Sequence, residues 1–188
     1  KNCRYYPVSV HYLAHFLGAC GFGLFMGGTM IDGICAGFCG LLVGVVDHYL
    51  HGLKTNQFFR TIASSFLMAL LAYIFGAFGF AQNPDAVTIG ALMLLVPGLL
   101  FTNAMRDIIY GDTSSGVVRI VQVFLIAAAL SLGTAAAWSI ASRVWGTPVN
   151  LGMADYNYAT QCLLCFIGCI GFTLLFNIHE LGVIICPL

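Results

Sequence analysis

The chain has 188 residues, of which 60% are hydrophobic, with seven basic and seven acidic side chains and a mean hydropathy of +0.95. A soluble domain carries roughly 25% charged residues, whereas this chain has 7%, which excludes a soluble enzyme, a disordered regulator and a coiled coil. Zero net charge leaves no basic face, so nucleic acid is not expected as a partner.

What remains is an all-α polytopic membrane protein with about six transmembrane helices, each about 20 residues long to cross roughly 30 Å of hydrocarbon. Span one is expected over residues 8–26 and span two over residues 30–50, followed by a polar stretch, His51–Arg60. Span three covers residues 61–80. Asn83 then reads as a helix cap, with Pro84 at the first helical position and Asp85 facing the positive dipole end. Span four runs from Pro84 to about Tyr110 and is interrupted by Pro97-Gly98. After a polar turn at Gly111–Gly116, span five covers residues 117–140. A loop of about 15 residues leads to span six, residues 157–177, and a new apolar run reaches Leu188. The chain starts at Lys1 rather than Met, so it reads as an excerpt of a longer protein.

With the N-terminus cytoplasmic, Lys1, Arg4, Lys54, Arg60, Arg106 and Arg119 fall on the cytoplasmic side and only Arg143 falls outside. The positive-inside rule favours that orientation, in a plasma (inner) membrane. Gly33, Gly37, Gly40 and Gly44 form one stripe along span two, a close-packing surface for another helix.

Leu13–Leu24 compares with Leu163–Leu174 at a constant offset of 150, with six of twelve positions identical. Five spans separate the copies, so the second enters the membrane in the opposite direction, as in the inverted repeats of secondary transporters. On this reading residues 1–145 are the first five-helix repeat. Residues 146–188 are a loop and the first helix of a truncated second repeat, whose remainder would lie downstream or come from a second copy or a partner membrane subunit.

Pro97 lacks an N–H and clashes with the preceding turn, so span four breaks there and frees the amides of the next helix for an anion. Leu99, Asn103, Arg106 and Tyr110 share one face beyond the break. Asn103 can hydrogen-bond an amino or carboxylate group, and Arg106 offers a planar fork for a carboxylate. Charges are costly in a bilayer, which makes Arg106, Asp107, Asp112 and Arg119 candidates for a substrate path through Pro97 and Gly98. The alternative is a cytoplasmic boundary where these charges pair with one another. Asp32 reads as a surface carboxylate at the outer end of span two, or else as a proton-coupling group with its pKa raised by burial. Asp47 reads as interfacial. His11 with His15, and His48 with His51, could serve a metal or haem only if two helices brought them together. No further ligand pattern supports this, and the sequence offers no metal or cofactor site. Cys35 with Cys39, and Cys162, Cys165 and Cys169, read as packing in apolar helices. Trp138 and Trp145 flank the outer end of span five.

The motif Pro97-Gly98, Asn103, Arg106-Asp107, Gly111-Asp112, Gly116 and Arg119 resembles that of the threonine/serine exporter family. Phe25, Gly27-Gly28 and Asp32 match the end of that family's first helix. The resemblance covers about residues 10–140. It implies ion-driven export of threonine and serine, with protons as the expected coupling ion, and related members move dicarboxylates such as succinate. The soluble N-terminal region usual in such proteins is not in this sequence. The expected function is therefore a secondary transporter exporting small hydroxy amino acids, not an enzyme. The alternatives are a dicarboxylate exporter, a membrane enzyme acting on lipid head groups through Mg²⁺ at Asp32, Asp107 and Asp112, or a non-transporting assembly subunit.

Overall fold

A computed structural model of the chain describes residues 8–52, 56–146 and 156–176. Lys1, Arg4 and Lys54, three of the charges behind the expected orientation, lie outside these residues. So do the middle of the loop before the last helix and the apolar run up to Leu188.

The elements among the described residues are all helices: α1 Val8–Phe25, α2 Met30–Gly52, α3 Gln57–Ala77, α4 Pro84–Leu92, α5 Gly98–Ile109, α6 Thr113–Trp145 and α7 Tyr158–Leu175. Four of them, α2, α3, α6 and α7, have the length and apolar character to cross a bilayer. The chain is a polytopic membrane protein. Its outward surface carries Val118, Phe124, Leu125 and Leu132 of α6, all more than half exposed, as a lipid-facing surface requires. Inside, Ala19, Ala36, Cys39, Met68, Ala72, Val87 and Ala91 join α1 to α4 in one core. Cys35 and Cys39 are packing residues of this core, as expected, whereas Cys162 is exposed on α7.

Helix ends follow local chemistry. After α3 the Phe80 N–H donates to the Phe75 carbonyl and the Gly79 N–H to that of Gly76, the paired bonds of a Schellman stop. Gly79 takes the required positive φ of 76°. The same bond pattern closes α1 at Gly27 and α5 at Gly111. α3 begins four residues before the expected start of its span because the Asn56 side chain accepts from the Phe58 N–H and caps it. α6 begins at Thr113 because Asp112 caps it. It runs for 33 residues, about 50 Å at 1.5 Å per residue.

α1 packs on α2, α4 and α7. The glycine stripe of α2 faces it: Gly33 lies on Leu24, Gly37 on Phe16, Gly40 on the His15 backbone and Gly44 on the His15 ring. α1 meets α7 through glycines as well. A side chain on Gly21 would strike the Gly168 backbone and the Leu164 carbonyl, and one on Gly171 would strike the Gly18 backbone and the Ala14 carbonyl. Adding 150 to each member of the first set of contacts, or subtracting it, generates the second. The two helices therefore cross antiparallel with the local two-fold symmetry of their sequences.

Candidate functional site

A cavity of about 190 Å³ opens between α1, α2, α3 and the α4–α5 connection. α3 supplies most of its polar wall, because Gln57, Arg60, Thr61 and Ser64 are spaced by three, one and three residues and share one face. α2 contributes Val43 and Asp47, α1 contributes His15, and Ile126 of α6 closes one side.

Arg60 Nε lies 3.0 Å from Asp47 Oδ1, with the two side chains 22% and 46% exposed. The bond uses one edge nitrogen of a group with five donors, so the outer fork of the guanidinium lies outside it. Thr61 Oγ1 donates to the Gln57 carbonyl at 2.9 Å, and Ser65 Oγ, on the α6 side, to that of Ile62 at 3.1 Å. Ser64 differs. Its side chain is buried at 1% exposure, and among the described residues its Oγ has no hydrogen-bond partner. Buried polar atoms are almost always paired, so this hydroxyl, on a residue that lines the cavity, stands out for having no protein partner among the described residues. On the opposite wall His15 Nδ1 donates to the His11 carbonyl at 2.8 Å. The contact between these two histidines is within α1, their rings edge to face at 4.7 Å.

The last wall is the break in span four. Proline disfavours helix in the residue before it and clashes with the carbonyl four residues back. The helix therefore ends at Leu92, five residues before Pro97 rather than at it. Pro97 has φ −81° and ψ 57°, and the Gly98 N–H donates across it to the Val96 carbonyl at 2.8 Å, an inverse γ-turn. This geometry turns Leu94, Leu95 and Pro97 to the cavity.

The residues singled out from sequence fall in three places. Pro97 lines the cavity, and Gly98 begins α5 beside it. Asn103, Arg106 and Asp107 belong to α5, which packs on α6 through Ala104 and Ile108 against Gly116. The face bearing Leu99, Arg106 and Tyr110 is thereby turned outward, with Asn103 half-buried. Arg106 is 64% exposed and does not line the cavity, so the expected meeting of Arg106 with the break is corrected: the arginine beside Pro97 is Arg60. Asp107 instead takes Arg119 Nη1 at 2.5 Å, with Arg106 Nη2 at 3.9 Å, and clasps α5 to α6. Asp112 accepts from the Ser115 hydroxyl at 2.8 Å and its N–H at 3.3 Å. Those bonds, with Arg119 nearby, hold its carboxyl below the usual carboxylate range.

Asp32 lies at the other end of α2, 15 residues from Asp47 and so about 22 Å along the helix. The exposed placement expected for it is overturned, because Asp32 is fully buried. One carboxylate oxygen accepts from the Thr29 N–H and hydroxyl, both at 2.8 Å, and the other from the N–H groups of Gln82 and Asn83 at 2.7 and 3.3 Å. The side chain ties the α1–α2 turn to the α3–α4 turn. Because α4 starts at that end, Asp32 does not converge with Asp107 and Asp112 on a common metal position.

Sequence reasoning missed the meeting of Asp47, Arg60 and Ser64 at one cavity, although the Gln57, Arg60, Thr61, Ser64 spacing was a readable signal. Residues 1–141 match the profile of a family described as "Putative threonine/serine exporter". Comparison with curated proteins and with solved structures found no match.

Proposed function

From the premise that the chain belongs to the threonine/serine exporter family, we propose that it exports small hydroxy amino acids as a proton-coupled secondary transporter. It does so in the plasma (inner) membrane with its N-terminus cytoplasmic. The observation that carries this reading is a small polar cavity set against a broken helix inside an otherwise apolar bundle. Interrupted helices whose irregular backbone borders a cavity are how transporters make binding sites within a bilayer. In the proposed orientation the C-terminal end of α2 and the start of α3 are cytoplasmic, so the cavity faces the compartment from which an exporter loads. Pro97 and Gly98 border the path, and Asn103, Arg106, Asp107, Asp112 and Arg119 stand at its cytoplasmic mouth. The α1–α7 crossing supports a division in which residues 1–145 form one repeat and α7 opens its inverted counterpart.

Proteoliposomes preloaded with labelled threonine or serine should release it when a proton gradient is imposed. Equal release with and without the gradient removes the coupling. Release of succinate in preference to either amino acid replaces the substrate class. Wild-type release by Arg106→Ala reduces that residue to an interfacial anchor.

A further inference from the structure

We infer that Asp47, Arg60 and Ser64 form the binding site for one small zwitterionic hydroxy amino acid, with Arg60 taking its carboxylate, Asp47 its ammonium and Ser64 its side-chain hydroxyl. The inference rests on the exporter reading and assigns the substrate contacts within it.

Three residues of different chemistry line one cavity, and a hydroxy amino acid carries the complement of each. The fork of Arg60 left outside its Nε bond to Asp47 suits a carboxylate held by two parallel hydrogen bonds. Asp47 is the acidic group on the same wall. Both side chains keep partial exposure, so the pair is reachable rather than sealed as a structural bridge. Charge balance then selects the ligand. The cavity holds one fixed positive and one fixed negative group from this pair, and a zwitterion adds one of each. Its neutrality is preserved where desolvated charge is costly. A dicarboxylate would bring two negative charges to a site that already contains Asp47.

Ser64 supplies the discrimination between side chains. Along the same stretch of α3 the Thr61 and Ser65 hydroxyls are spent on the carbonyls of Gln57 and Ile62. Ser64 Oγ is buried on the wall without a partner among the described residues. A ligand hydroxyl satisfies it, and a methyl group leaves it unmet. A volume of about 190 Å³ leaves room for one small amino acid.

The test is binding of tritiated L-serine to the purified full chain in nanodiscs, with L-alanine and succinate as competitors. Ser64→Ala is expected to weaken serine binding about five-fold and leave alanine binding unchanged. It should melt no lower than wild type, because it removes an unpaired buried hydroxyl. Arg60→Lys is expected to weaken serine and alanine alike by about ten-fold, since both present the carboxylate that the fork grips. Ile126→Phe, which fills the cavity without touching a polar group, should abolish both and covers the case in which Arg60→Lys fails to fold. The assignment is overturned if serine binds the wild type and all three variants equally. Wild-type export of threonine in the flux assay would then leave the exporter reading standing with its site elsewhere. Tighter binding of succinate than serine by wild type overturns the assignment and the substrate class together, and absence of serine binding to wild type overturns the assignment.

Discussion

Asp32 separates two roles for a buried carboxylate, and the substitution Asp32→Asn tells them apart. The native side chain accepts four hydrogen bonds, two on each oxygen. An amide has one oxygen to offer, so its nitrogen must face one pair of donors. Facing the Gln82 and Asn83 N–H groups, it opposes two fixed backbone donors. Facing Thr29, it opposes one fixed N–H and a hydroxyl that can rotate away, so that rotamer is favoured. Even then two bonds to a charged acceptor are lost, at about 1.5–3 kcal/mol each, and the Thr29 N–H is left unmet. The expected cost is about 3–5 kcal/mol, which at about 2–4 °C per kcal/mol for a chain of this size lowers the melting temperature by about 10 °C. The assay is thermal unfolding followed by a thiol-reactive dye, because Cys35 and Cys39 are buried in the core and become reactive only on opening. If Asp32→Asn melts with wild type while its flux loses dependence on the proton gradient, Asp32 carries a proton rather than holding two turns.

Pro97→Ala restores an N–H to the break, and with alanine favoured over proline by about 3 kcal/mol inside a helix, α4 and α5 should join. Serine export should fall at least about ten-fold while helical circular dichroism rises; unchanged export would remove the break from the path. The cap on α6 predicts a pH dependence of defined sign. The folded pKa of Asp112 is depressed, so its contribution is present above the ordinary carboxylate value of about 3.9 and is lost as pH falls through the lower folded value. The difference in melting between wild type and Asp112→Ala should accordingly be constant near neutrality and vanish toward strong acid. Gly21→Val drives a side chain into the backbone of Gly168 and should speed amide hydrogen exchange in α7 selectively, leaving α3 and α6 unaffected.

Most of the fold was legible because its punctuation is local. Gly27 and Gly79 stop helices through bonds that need only nearby carbonyls, and Pro84 starts α4 at its first position. The α4–α5 break was legible in kind but not in extent, since proline sterics reach back a full turn and α4 ends at Leu92. The site was harder to see. Periodicity reported that Leu99, Asn103, Arg106 and Tyr110 share a face, but not which way the face points. The contact of Ala104 and Ile108 with Gly116 settled that and turned Arg106 outward. Arg60 was hidden because His51–Arg60 reads as a polar connection. Once Asn56 caps α3, Arg60, Thr61 and Ser64 rise onto one helical wall. Asp47 and His15 join them only through tertiary packing.

The glycine stripe explains why the cavity forms at one end of the α1–α2 pair and not along its length. From Gly33 to Gly40 the absence of side chains lets Leu24, Phe16 and the backbone of His15 come against α2, leaving no room for a solute. At Gly44 the last glycine accepts the His15 ring, and one turn further the small residues give way to Asp47. There α3 brings Arg60 rather than an apolar filler. Span four unwinds beside the same region, so α4 stops short of covering the gap. Close approach and separation are thus written into successive turns of one helix, and the polar groups of the proposed site begin where the glycines end.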